Sequence, residues 1–80
     1  VGLVPGGAAS LIPEASRHGL DALITGEGAH HTYHDAMEHG VNALYAGHYA
    51  TETWGVKALG AHLEDRFDLS QEFIDMPTGL

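Results

Sequence analysis

Val41-Asn42-Ala43-Leu44-Tyr45-Ala46-Gly47-His48-Tyr49-Ala50-Thr51-Glu52 is the stretch on which the fold turns. It is a short apolar run that stops at glycine, followed by the start of a long helical pattern. Two earlier runs have the same grammar: Val1–Val4 leads into Pro5-Gly6-Gly7, and Ala22–Ile24 into Thr25-Gly26-Glu27. Short apolar runs alternating with longer helical segments are the signature of βαβ units and a mostly parallel sheet. Three successive strands that end in glycine and polar residues put their loops at one sheet edge, where open α/β folds build binding sites. The fold class expected is therefore α/β, an open and mostly parallel sheet made from strand–helix repeats in a single lobe covering residues 1–80.

Outward from that stretch, strands are expected at Gly2–Val4, Ala22–Thr25 and Asn42–Ala46, with a final strand at Glu72–Asp75. Helices are expected over Ala9–His18, His31–His39 and Thr51–Arg66. Gly19 and Gly40 close the first two, because glycine takes the left-handed conformation that ends a helix. Pro13 falls in a first turn, where its missing N–H costs least. In the last helix Val56, Leu59, Leu63 and Phe67 recur at spacings of three and four and form one apolar stripe. Pro77 keeps the terminal Met76–Leu80 segment extended.

Composition narrows the function. The chain has 80 residues, no cysteine, three basic and eleven acidic residues, and a formal net charge of −8. With no Lys/Arg stripe, that field repels nucleic acid and anionic membrane surfaces alike. No apolar run approaches the ~20 residues of a membrane span. Without thiols, disulfides and thiolate metal sites are absent, and a cytoplasmic setting is expected. An acidic, lysine-poor surface is also a trait of salt-adapted proteins. A halophilic origin predicts an unfolding midpoint that rises between low and molar salt. Because Val1 opens the chain inside an apolar run, the sequence reads as the later part of a longer polypeptide.

The sharpest chemical constellation is His48 with Glu52. Four residues apart on a helix, their side chains share a face, with Cβ atoms about 5–6 Å apart. An imidazole and a carboxylate so spaced suit a borderline divalent cation such as zinc, iron, manganese or nickel. The plainer alternative is a helix-start histidine beside an acidic residue that complements the helix dipole. A second cluster comprises Glu27, His30, His31, His34 and Asp35. Of these, Glu27 and His34 share a sheet edge with His48, whereas His30, His31 and His39 read as solvated helix residues. The turn Pro5–Ser10 matches no phosphate-binding fingerprint and reads as a tight strand-to-helix connection. Ser10, Ser16 and Ser70 stand in no nucleophile context.

Taken together, Asp21–Glu27, Tyr33-His34-Asp35-Ala36 and Ala46–Glu52 resemble the C-terminal part of the Nif-three-like family, whose members are often labelled GTP cyclohydrolase I type 2 homologues. The opening Gly-Gly turn and Phe73-Ile74-Asp75 before Pro77 fit as well. The resemblance implies a two-lobed α/β protein assembled as a toroidal homohexamer, with two divalent metal ions per complete subunit. It implies His48 and Glu52 as the metal ligands of this lobe, and Glu27 and His34 as residues lining the same cleft. The remaining ligands, a paired histidine and an aspartate, would come from an N-terminal lobe outside this sequence. Two activities are compatible with it: metal-dependent hydrolysis, with a guanine nucleotide opened at its imidazole ring as one candidate, or non-catalytic metal binding in regulation or assembly.

Overall fold

The computed structural model describes residues 1–80. It contains three parallel strands, β1 (Gly2–Val4), β2 (Ala22–Thr25) and β3 (Asn42–Tyr45), and three α-helices. These helices are α1 (Ile12–Arg17), α2 (Thr32–His39) and α3 (His48–Phe67). Strand order is β1-β2-β3. The register aligns Leu3 with Ile24 and Ile24 with Leu44, so these three form one row across the sheet. The α/β class and the parallel sheet are as the alternating pattern predicts.

Side chains two residues apart share a sheet face, so Leu23 and Thr25 point together toward the core. Ile12 and Ala15 of α1 pack there with Ala9, Leu23 and Val41, and Val4, Leu20, Ala36 and Ala43 close the periphery. The opposite face carries the Leu3–Ile24–Leu44 row, in which Leu3 is 72% exposed. All nine buried residues lie between Gly6 and Val41.

Three expectations are corrected. The first helix is split, with a 3₁₀ turn at Ala9–Leu11 preceding α1. Pro13 falls within the first two positions of α1, where an N–H would have no helical partner. The last helix begins at His48 rather than Thr51, and β3 stops at Tyr45. Gly47, at φ 99° and ψ 124°, makes the sharp turn in the two-residue connection between them. Glu72–Asp75 is not a strand: it has no ladder partner and runs back along α3.

The apolar stripe of α3 is also left uncovered here. The helix has no buried residue, and Val56, Leu59 and Phe67 are more than half exposed. It projects from the sheet, giving extents of 49 × 27 × 13 Å and a radius of gyration of 15.6 Å. About 12 Å is usual for this length. No helix is long and apolar enough to cross a membrane.

Candidate functional site

The C-terminal ends of β1 and β2 are tied together by the Gly6 carbonyl. It accepts hydrogen bonds from the Gly26 N–H at 2.7 Å, the Glu27 N–H at 3.1 Å and the Thr25 hydroxyl at 3.0 Å. Thr25 is fully buried, and its Oγ1 accepts from the Ala8 N–H at 3.1 Å in turn. On the other side, the Gly6 N–H donates to Thr51 Oγ1 at 2.9 Å, and that hydroxyl donates to the Gly47 carbonyl at 2.7 Å. Gly47 N–H donates to the Gly26 carbonyl at 2.7 Å. The first loop is thereby tied to the other two. Gly26 sits at their crossing, where a Cβ would fall 2.5 Å from both the Gly6 oxygen and the His48 Cα.

On this knot stand Glu27, His48 and Glu52. The His48 imidazole lies between the two carboxylates, Nδ1 2.6 Å from Glu27 Oε1 and Nε2 3.2 Å from Glu52 Oε1. Its side chain is 36% exposed, so the group lies at a rim rather than in a sealed cavity. The hydrogen bond to Glu27 raises the His48 pKa above its ordinary value of 6.5, desolvation opposes it, and the charges of Glu52 and Glu27 add to the rise. The physical reason is plain: with Nδ1–H donated to Glu27, a neutral ring would aim the Nε2 lone pair at a second carboxylate. A cation between Nε2 and Glu52 removes that conflict, and a proton is the simplest one.

Space for a larger cation is kept by Gly6. Its φ is +76°, and a Cβ there would lie 2.5 Å from Glu52 Oε1 and 3.5 Å from His48 Nε2. A metal in that position would have two donors from this chain, an imidazole nitrogen and a carboxylate oxygen. Glu27, on the opposite ring nitrogen, would orient the ligand, as carboxylates behind metal-bound histidines do. No group of three or more His, Cys, Asp or Glu side chains is arranged to hold a metal ion. The donor set fits half of a metal site.

The other predicted residues divide. His34 is on α2, edge-on to Tyr33 and His30 at ring-centroid distances of 5.3 and 6.4 Å, and makes no hydrogen bond to Glu27, His48 or Glu52. His31, which reads from sequence as merely solvated, instead lines a groove of ≈ 250 Å³ beside the site together with Gly7, Ser10 and Glu27. The available signal was the four-residue spacing of Glu27 and His31, the same as that of His48 and Glu52. The Pro5–Ser10 turn supplies one wall of this groove and the space beside Glu52.

Comparison with known proteins bears on the family and the fold. Residues 1–78 match the model of the Duf34/NIF3 (NGG1p interacting factor 3) family. Proteins called GTP cyclohydrolase 1 type 2 homolog from Deinococcus radiodurans and Halobacterium salinarum are each 50% identical to this chain over all 80 residues. The chain covers 30% of the former and 31% of the latter. The crystal structure of TTHA1606 from Thermus thermophilus superposes with a TM-score of 0.88 at 51% identity, over 98% of this chain and 31% of that one. Protein ybgI, described as of unknown function, superposes at 0.90 with 44% identity, over 98% of this chain and 32% of its own. The chain thus spans just under a third of the relatives it matches. On the match over nearly its whole length, this chain belongs to the Duf34/NIF3 family.

Proposed function

We propose that this chain carries half of a divalent-metal centre, with His48 and Glu52 as ligands and Glu27 as the group that orients His48. The observation that carries the reading is the imidazole held between two carboxylates next to the space left by Gly6. Glu27 accepts the hydrogen bond from Nδ1–H, which leaves Nε2 free to donate its lone pair on the Glu52 side. His31 and Ser10 line the adjoining groove, where the organic part of a small-molecule ligand would lie. His34, on the outer side of α2, has no contact supporting a role at the metal.

A catalytic metal normally has three or more protein ligands. Completion by further ligands from a second lobe is therefore part of the proposal, and the relatives, roughly three times as long, have the chain length for one. Two ions in the complete centre, a hexameric assembly and a cytoplasmic setting extend the reading. Divalent ions supply a site of this kind with activation of water near neutral pH and stabilisation of developing oxyanion charge. In a hydrolase of this type Glu27 would move a proton as well as orient His48. A guanine nucleotide is the substrate class suggested by the relatives' names, with hydrolytic opening of its imidazole ring. The second reading is metal binding without turnover, in regulation or assembly.

The test is elemental analysis with metal titration on the chain, beside His48→Ala and Glu52→Ala. Binding of zinc or manganese that is lost in both variants supports the half-site. Equal metal content in all three proteins sinks it. Turnover of guanosine triphosphate by the metal-loaded Deinococcus radiodurans relative separates hydrolase from scaffold.

A further inference from the structure

Glu27 can orient His48 only if the turn that follows it is itself fixed. The Glu27 N–H donates to the Gly6 carbonyl, but the N–H groups of Gly28, Ala29, His30 and His31 have no partner in the chain. From Gly28 to Thr32, one hydrogen bond arrives from another element, and it comes from Tyr45 at the end of β3. The Tyr45 hydroxyl lies 2.8 Å from Thr32 Oγ1, whose own proton goes to the Ala29 carbonyl at 2.6 Å. Tyr45 is therefore the donor of that pair. Thr32 is buried, which limits competition from water.

The Tyr45 ring takes part as well. A Cβ on Gly28 would fall 2.4 Å from Tyr45 Cζ and 2.6 Å from its oxygen, so only glycine fits beneath the ring. Register explains the reach: Tyr45 pairs with Thr25, and the Gly47 N–H extends the ladder to the Gly26 carbonyl. This holds β3 against the exit of β2, with the ring over the turn that follows. The turn is also a wall between two spaces. Gly28, Ala29 and Thr32 face the ≈ 250 Å³ groove that contains Glu27 and His31. On the other side Ala29, Thr32 and Tyr45 line an apolar groove of ≈ 530 Å³. With open space on both sides, the turn depends on Tyr45 for its position.

We propose that Tyr45 is a positioning residue of the candidate site: by clamping Gly28–Thr32 it keeps Glu27 on His48 Nδ1 and fixes which imidazole nitrogen carries the proton. The inference rests on the reading of Glu27 as the orienting group, but its direct consequence, the His48 tautomer, is set without metal. With Glu27 at Nδ1, the neutral ring keeps its proton there and Nε2 is a bare acceptor. When the turn drifts, Glu27 withdraws and the proton moves to Nε2, where Glu52 Oε1, 3.2 Å away, accepts it. A protonated Nε2 has no lone pair for a cation.

The test is proton–nitrogen correlation NMR of the His48 imidazole in the metal-free chain, at a pH where the ring is neutral, beside zinc titration of the same proteins. The unsubstituted chain is expected to show the Nδ1–H form. Tyr45→Phe keeps the ring on Gly28 but loses the hydroxyl, and should give a mixture of tautomers and a several-fold weaker zinc affinity. Tyr45→Ala loses both and should show chiefly the Nε2–H form, with affinity down about tenfold, the low end for a lost partner behind a metal-bound histidine. Thr32→Ser retains the hydroxyl relay and should match the unsubstituted chain, whereas Thr32→Val should match Tyr45→Phe. If Tyr45→Ala fails to fold, Tyr45→Phe and the two Thr32 variants decide the matter. A purely structural Tyr45 would lower the urea midpoint while every folded variant kept the Nδ1–H form, and that result overturns the proposal. So does an Nε2–H form in the unsubstituted chain. If that chain binds no zinc, the metal reading fails, and the tautomer shift still decides this one.

Discussion

The stretch from Gly6 to Val41 and the stretch after it are built on different principles. The first holds every buried residue, including Ile12 and Leu23 at 0 and 2% exposure. The second contains the longest helix, twenty residues with no buried side chain. Its Leu59 and Phe67 have the spacing of a core stripe but meet solvent. A sequence pattern can thus specify a face without specifying what covers it. The candidate metal residues lie at the junction, with Glu27 from the packed part and His48 and Glu52 from the projecting helix.

The contrast breaks first under core truncation. Ile12→Ala should lower stability by about 2–5 kcal/mol, read from urea unfolding, whereas Leu59→Ala should change it by no more than about 0.5 kcal/mol. Equal losses would mean that α3 is packed in solution. Thr25→Val comes next: it removes the hydroxyl that serves the Gly6 carbonyl and the Ala8 N–H. The expected loss is about 1–3 kcal/mol, the cost of buried polar groups left without partners. A weakened metal titration should accompany it, because the same bonds tie Gly6 to the site.

Gly6→Ala sharpens the comparison at the junction. The new methyl meets Glu52 at a backbone of positive φ, and cation binding should fall at least tenfold while the core retains its exchange protection. Unchanged affinity would remove Gly6 from the site. A smaller effect is expected in pH titration of the metal-free chain, followed by imidazole NMR. Glu27 raises the His48 pKa, so protonated His48 contributes stability fully below about 6.5 and loses it as pH rises through the folded value. In Glu27→Gln the titration should move back toward 6.5. The smallest change is at Glu14, whose pKa is lowered by hydrogen bonds from Arg17 and His18. Its contribution is present above the unfolded pKa and fades as pH falls through the folded one, so Glu14→Gln should alter only the acid limb of the stability curve.

Much of this architecture was legible in the chain. The three Gly-terminated runs give the strands and their parallel order, since each is separated from the next by a helix-length segment. His48 and Glu52 were visible as a pair because a helix brings residues four apart onto one face. The strand expected at Glu72–Asp75 failed for a physical reason: a strand requires a neighbour, and pairing depends on residues distant in sequence. His34 was expected at the cleft because it follows the same loop as Glu27, yet the helix directs it toward Tyr33 and His30. The overlooked His31, just before α2, is left at the groove.

What the sequence by itself determined is periodic and local: the strand and helix segments, the glycine turns, the acidic charge and the His48–Glu52 spacing. Only the tertiary structure decided that Glu27 occupies the far side of the His48 ring, that Gly6 leaves room beside Glu52, and that α3 carries its apolar stripe into solvent. Local propensity acts over a few residues, whereas the first two outcomes depend on hydrogen bonds through Gly6 that draw together loops about twenty residues apart, and the third on contacts distant in sequence.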